Sequence, residues 1–150
     1  MKNFFLIIFV LILYQCGFTS VYKNTENQNI KVIVQNVEGD KAINNLIKSE
    51  IKKYSKHDTE NVYTVDAKTI YTKTTISKDK TGKATNLQLT VRINFAIKLD
   101  DKSKSFSFVE TLSIENSSNS YEQNNYEKEI KKNFVNSIIQ KLFLELLKIK

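Results

Sequence analysis

Few side chains in this sequence have the type and spacing that covalent or acid–base chemistry needs. Cys16 is the only cysteine and His57 the only histidine. His57 stands in a polar stretch, and no Cys–His or Ser–His pair with a supporting carboxylate is visible, so an enzyme is not expected. Asp100 and Asp101 are adjacent carboxylates that lack the ligand number and spacing of a calcium loop; they read as turn residues, and neither metal nor cofactor is expected. A single thiol excludes an internal disulfide. The chemistry left to Cys16 is set by its place in the chain. It comes after Met1-Lys2-Asn3, a short positive start, and the uninterrupted apolar run Phe4 to Tyr14. Lipoprotein signals put at that point the thiol that receives diacylglycerol before the leader is cut away. Leu13 holds the usual apolar position three residues before the cysteine, whereas Tyr14 and Gln15 are bulkier than the small residues common there.

The apolar run falls well short of the ~20 residues that a helix needs to cross a bilayer, so a removed leader is favoured over a permanent span. Residues 1–15 are read as a signal peptide, 16–29 as a lipidated tether and 30–150 as one folded domain. Several acyl chains on Cys16 would give durable membrane attachment, because each buried CH₂ contributes about 0.8 kcal/mol. Formal charge is +7, a balance that draws the chain to anionic surfaces. Lys73, Lys78, Lys80, Lys83, Lys102 and Lys104 fall at the ends of the expected strands. Such lysines commonly serve simply to solvate turns. Nucleic acid is a poor partner for an exported chain, and none is expected.

The elements that must carry these groups are read from periodicity. With no proline and three glycines, breaks are marked mainly by Asn, Ser and Asp. Ile30 to Val37 alternates β-branched residues and predicts a strand, broken at Gly39-Asp40. From Asp40, a helix cap, Ile43, Leu46, Ile47, Ile51 and Tyr54 recur at three and four residue spacing, with Lys48, Glu50, Lys52 and Lys53 placed off that stripe. Val62 to Ile76 is dense in Thr, Tyr and Val and reads as a second strand. The sharpest pattern is Leu87, Leu89, Val91, Ile93, Phe95, Ile97 and Leu99 in strict period two, against Gln88, Thr90, Arg92, Asn94 and Lys98. After the reversal at Asp100 to Ser103, Phe106, Phe108, Leu112 and Ile114 repeat it, with Glu110 as the exception, and an antiparallel hairpin is predicted. Ile130, Phe134, Ile138, Leu142 and Leu146 then predict a helix from about Asn125 to Lys148. The order β-α-β-β-β-α implies an α+β fold: a two-layer sandwich of two helices packed on a four-stranded, mostly antiparallel sheet.

The run Cys16-Gly17-Phe18-Thr19-Ser20-Val21-Tyr22 resembles the start of mature LptE, the lipopolysaccharide-assembly lipoprotein family, in its alphaproteobacterial form, with Ser20 where proline is common. The order of elements continues the resemblance: an early strand with Ile33 and Val34, a helix carrying Asn45-Leu46, a long hairpin, and Tyr121-Glu122-Gln123-Asn124-Asn125-Tyr126 opening the last helix. The resemblance implies a non-catalytic protein of the outer membrane, lipid-anchored on its periplasmic side. Its partners would be a large LptD-like β-barrel, which it plugs and helps assemble, and lipopolysaccharide. The outward Gln88, Thr90, Arg92, Asn94 and Lys98 suit a polar barrel lumen as well as they suit plain solvent. Lys78, Lys80, Lys83, Arg92 and Lys102 are the candidate contacts for lipopolysaccharide phosphates. The alternative is another small lipoprotein acting as an interaction module, such as an accessory subunit of a lipid transporter or secretion complex, which fold alone does not separate.

Overall fold

A computed structural model describes residues 30–56, 59, 61–99 and 102–149. Cys16, the leader and the tether lie outside the described residues, as do His57, Asp100 and Asp101. The elements run β1 (Lys31–Glu38), α1 (Lys41–Tyr54), β2 (Val62–Lys78), β3 (Ala84–Leu99), β4 (Lys102–Glu115) and α2 (Ser120–Leu147). The strands form one sheet in the order β1-β2-β3-β4. β1 lies parallel to β2, with α1 as the crossover, and the other two pairings are antiparallel. This is the α+β sandwich that the periodicity implies.

Period two decides which face meets the helices. Val65, Ile97 and Lys104 are paired across three strands, as are Ala67, Phe95 and Phe106, then Thr69, Ile93 and Phe108. From Leu87 to Ile97 every second residue of β3 is buried. The helices bring Ile43, Ile47 and Ile51 from α1 and Ile130, Val135, Ile138, Ile139, Leu142, Phe143 and Leu146 from α2 onto that face. Tyr54 packs its ring 5.4 Å from Phe143 and donates its hydroxyl to Asn136 Oδ1 at 3.1 Å, which joins the two helices.

α2 starts earlier than the apolar spacing suggests. Asn119 accepts hydrogen bonds from the backbone N–H groups of Tyr121 and Glu122, so the polar turn Ser120–Asn124 is helical although it buries little. Glu50 also departs from expectation. It is buried in the stripe of α1, one turn after Ile47, and Lys53 neutralises it from the next turn. Gly39 takes φ +103° between β1 and α1, and a Cβ there would stand 1.9 Å from the Thr69 carbonyl oxygen. Only glycine lets the turn approach β2 so closely.

Candidate interaction surfaces

Among the described residues, no helix covers the second face of the sheet. Gln88, Thr90 and Asn94 lie there half-buried and Arg92 and Lys98 exposed, flanked by Asp66, Lys68 and Ile70 of β2 and by Ser105, Ser107 and Val109 of β4. Cross-strand rows such as Lys68–Asn94–Ser107 and Ile70–Arg92–Val109 give a broad surface of hydroxyl, amide and cationic groups with isolated apolar side chains. Thr90 and Thr111 hydroxyls meet across it at 3.1 Å. Where Ala96, Ser105 and Ser107 are short, the surface dips into an open depression of about 540 Å³ bordered by Asp66 and Lys68. Asp66 is fixed there, because its Oδ1 accepts from the backbone N–H and the side-chain amide of Asn36.

The strand-end cations do not form one cluster. Lys78, Lys80 and Lys83 gather at the β2–β3 turn, where Asp79 accepts from Thr81 and from the backbone N–H of Lys83. Arg92 stands mid-sheet on the open face, and Lys102 begins β4 at the opposite end of the ladder. β3 spans 16 residues, so the two ends are roughly 50 Å apart. The three turn lysines share one turn, from which Arg92 and Lys102 stand far along the strands. Lys73, a further strand-end lysine, is taken by an internal partner.

That partner is Glu127, a buried carboxylate on α2 that periodicity did not single out. Glu127 accepts from Lys73, from Gln123 Nε2 at 2.9 Å and from the Tyr71 hydroxyl at 3.3 Å. Burial works to raise its pKa, but the hydrogen bonds from Lys73, Gln123 and Tyr71 outweigh it and hold the carboxyl below its ordinary value. Burial pushes the Tyr71 hydroxyl well above its usual range, and the charge of Glu127 adds to that. Lys131 lies 3.8 Å over the Tyr71 ring and reaches Asp40, the cap of α1, at 3.3 Å. The cluster therefore fastens β2, the start of α1 and the start of α2 to one another. Its sequence trace is slight: Tyr71 and Lys73 continue the inward period of β2, and Gln123 and Glu127 extend the stripe of Ile130 and Phe134 toward the start of α2 at three and four residue spacing. Glu110, the exception in β4, is explained in the same way, since it faces the helices and accepts from Lys141 at 2.6 Å and Ser137 at 2.8 Å.

Among the described residues no three His, Cys, Asp or Glu side chains gather as a metal site, and no helix is long and apolar enough to cross a membrane. The described surface offers a wide polar sheet face and a cationic turn over a helix-backed core. The sequence model of LptE, described as lipopolysaccharide-assembly, matches residues 20–146. The chain belongs to the LptE family. Solved structures agree on the fold. Rare lipoprotein B from Shewanella oneidensis superposes with a TM-score of 0.62 at 16% identity, covering 79% of this chain and 98% of that one. A minor lipoprotein from Acinetobacter baumannii gives 0.57 at 10% identity, over 79% and 90% of the two chains. Lipoprotein B from Nitrosomonas europaea gives 0.53 at 11%, over 77% and 81%. No curated protein matches the chain by sequence. At such identities the likeness shows the fold alone, so the solved structures locate no contact residue on this chain.

Proposed function

We propose that this LptE-family chain is an outer-membrane lipoprotein that plugs and helps assemble an LptD-like barrel and assists delivery of lipopolysaccharide to the cell surface. The family match over residues 20–146 carries the reading. In it, residues 1–15 are removed, Cys16 carries the lipid, 16–29 act as tether, and the domain works by binding and not by catalysis. The uncovered sheet face supports the plug role, because a wide barrel has a polar lumen and the face offers hydroxyls, amides and cations across three strands. Lys78, Lys80 and Lys83 are the cations placed to meet lipopolysaccharide phosphates at one turn, with affinity that falls as salt rises.

Co-purification tests the role. A tagged full-length chain extracted in detergent is expected to bring down a large β-barrel in a heat-resistant complex, and depletion is expected to reduce lipopolysaccharide at the surface. Recovery with an inner-membrane transporter instead, with surface lipopolysaccharide unchanged, would replace this reading with that of an accessory subunit. Mass spectrometry of the mature amino terminus is expected to show an acylated cysteine that Cys16→Ser abolishes.

A further inference from the structure

The two rims of the sheet are finished differently. Along β1 the ladder is interrupted by a bulge between Val34 and Val37. The chain leaving α1 also caps it: Val32 N–H donates to Ser55 Oγ at 2.9 Å, and Lys56 N–H donates to the Ile30 carbonyl at 3.0 Å. β4 has neither device. Its ladder to β3 runs from Lys102 to Glu115 without a shift, and among the described residues no side chain or loop bonds to its outer main-chain groups. An unbroken edge of this length with no proline is a template for another strand.

The side chains of β4 suit one particular strand, namely β4 itself. Lysines occupy its start (Lys102 and Lys104) and glutamates its later part (Glu110 and Glu115), so the strand is complementary to itself when reversed. On the helix side, Phe106 and Phe108 are stacked with centroids 6.2 Å apart and are only half-buried. We infer that β4 pairs antiparallel with β4 of a second copy of this chain, with Ser107 on the two-fold axis, so that two sheets join into one of eight strands. In this register Lys104 of each copy faces Glu110 of the other, and each Phe106 faces the other Phe108. Lys104 has no carboxylate partner among the described residues. The bonds from Lys141 and Ser137 both fall on Glu110 Oε1, so the incoming lysine meets Oε2. Moving the axis to Phe108 would set Lys104 against Leu112 and lose both ion pairs. An axis perpendicular to the sheet keeps all four helices on one side and covers the exposed edges of Phe106 and Phe108. The inference stands on this rim and does not rest on the proposed role with a barrel.

The test uses the full-length chain purified in detergent at micromolar concentration. Under mild oxidation Ser107→Cys is expected to give a disulfide-linked dimer on a non-reducing gel, because residues at the axis face each other across ~5 Å. Ser113→Cys is expected to form no disulfide-linked band on the same gel, since its two copies stand roughly 40 Å apart along the strands. Wild type, whose only thiol is Cys16, sets the baseline for both. Lys104→Glu, an exposed end-of-strand change that the fold tolerates, is expected to raise the dimer dissociation constant roughly ten-fold in sedimentation by setting two like-charged pairs in place of two opposite ones. A monomer at every concentration overturns the inference, as does equal cross-linking at 107 and 113. So does a dimer that Ile70→Cys on the open face traps while Ser107→Cys does not.

Discussion

Among the described residues β1 and β4 are both edge strands, yet one is sealed and the other left open, and the difference lies in the segment that comes after each strand in the chain. β1 leads into a turn and a helix that return across it, so Ser55 and Lys56 reach its outer backbone groups. β4 leads into a connector that hands the chain to α2, which runs over β3 and β4 and holds Glu110 through Lys141 and Ser137. A crossover closes the rim that it starts from, whereas a helix laid over a hairpin covers a face and leaves the rim free. The sealed side should therefore be the intolerant one, and the open side the adaptable one.

The largest expected effect lies at the sealed rim. Gly39→Ala forces a Cβ to within 1.9 Å of the Thr69 carbonyl oxygen, and at a positive φ. Loss of about 3 kcal/mol or more is expected in denaturant unfolding. A variant as stable as wild type would show that the close approach of the β1–α1 turn to β2 is not what holds that rim.

Next comes the polar cluster that fastens β2 to both helix starts. Glu127→Ala leaves Lys73 and the Tyr71 hydroxyl without their shared acceptor and is expected to cost about 2 kcal/mol. The pH dependence has a definite sign. Because Glu127 is held below its ordinary value of 4.5 in the folded chain, its contribution is complete above that value and is lost as pH falls through the lower folded one. Asp40 is lowered too: burial opposes ionisation, but the Ile43 N–H and Lys131 prevail. Stability measured from pH 6 into the acid range is expected to drop more steeply for wild type than for Glu127→Gln; parallel curves would mean that this carboxylate does not link folding to protons.

On the open side the effects shrink. Lys141→Ala removes a partly exposed partner of Glu110 and is expected to cost about 0.5–1 kcal/mol. Lys104→Glu is expected to change the unfolding free energy of the monomer by less than about 0.5 kcal/mol, so that any change it makes to association is read apart from folding. If Lys141→Ala or Lys104→Glu were instead as costly as Gly39→Ala, the contrast between the rims would fail.

The residues differ in how far their roles are legible in the sequence. Leu87 to Ile97 can be placed inward, because their alternation has only one burial solution on a sheet with helices on one side. Ile130, Phe134, Ile138, Leu142 and Leu146 are in the same position on α2. The burial of Glu110 and Glu127 was not legible, because a buried carboxylate needs a partner and theirs are far away in the chain. Lys73 and Lys141 stand 54 and 31 positions from Glu127 and Glu110. The strand between Lys83 and Lys102 already sets the turn lysines and Lys102 at opposite ends in the sequence, but no local pattern shows that Lys73 is held inside by Glu127.

Taken alone, then, the amino-acid order determined the six elements, their inward faces and the α+β class, since those depend on side-chain periodicity and turn residues within a few positions of one another. Which strand lies at which rim, which rim is capped, and which charges meet were decided only when the chain packed. Those outcomes depend on β1 pairing with β2 across an intervening helix and on α2 returning over β3 and β4, contacts between residues far apart in the chain whose identities no local pattern encodes.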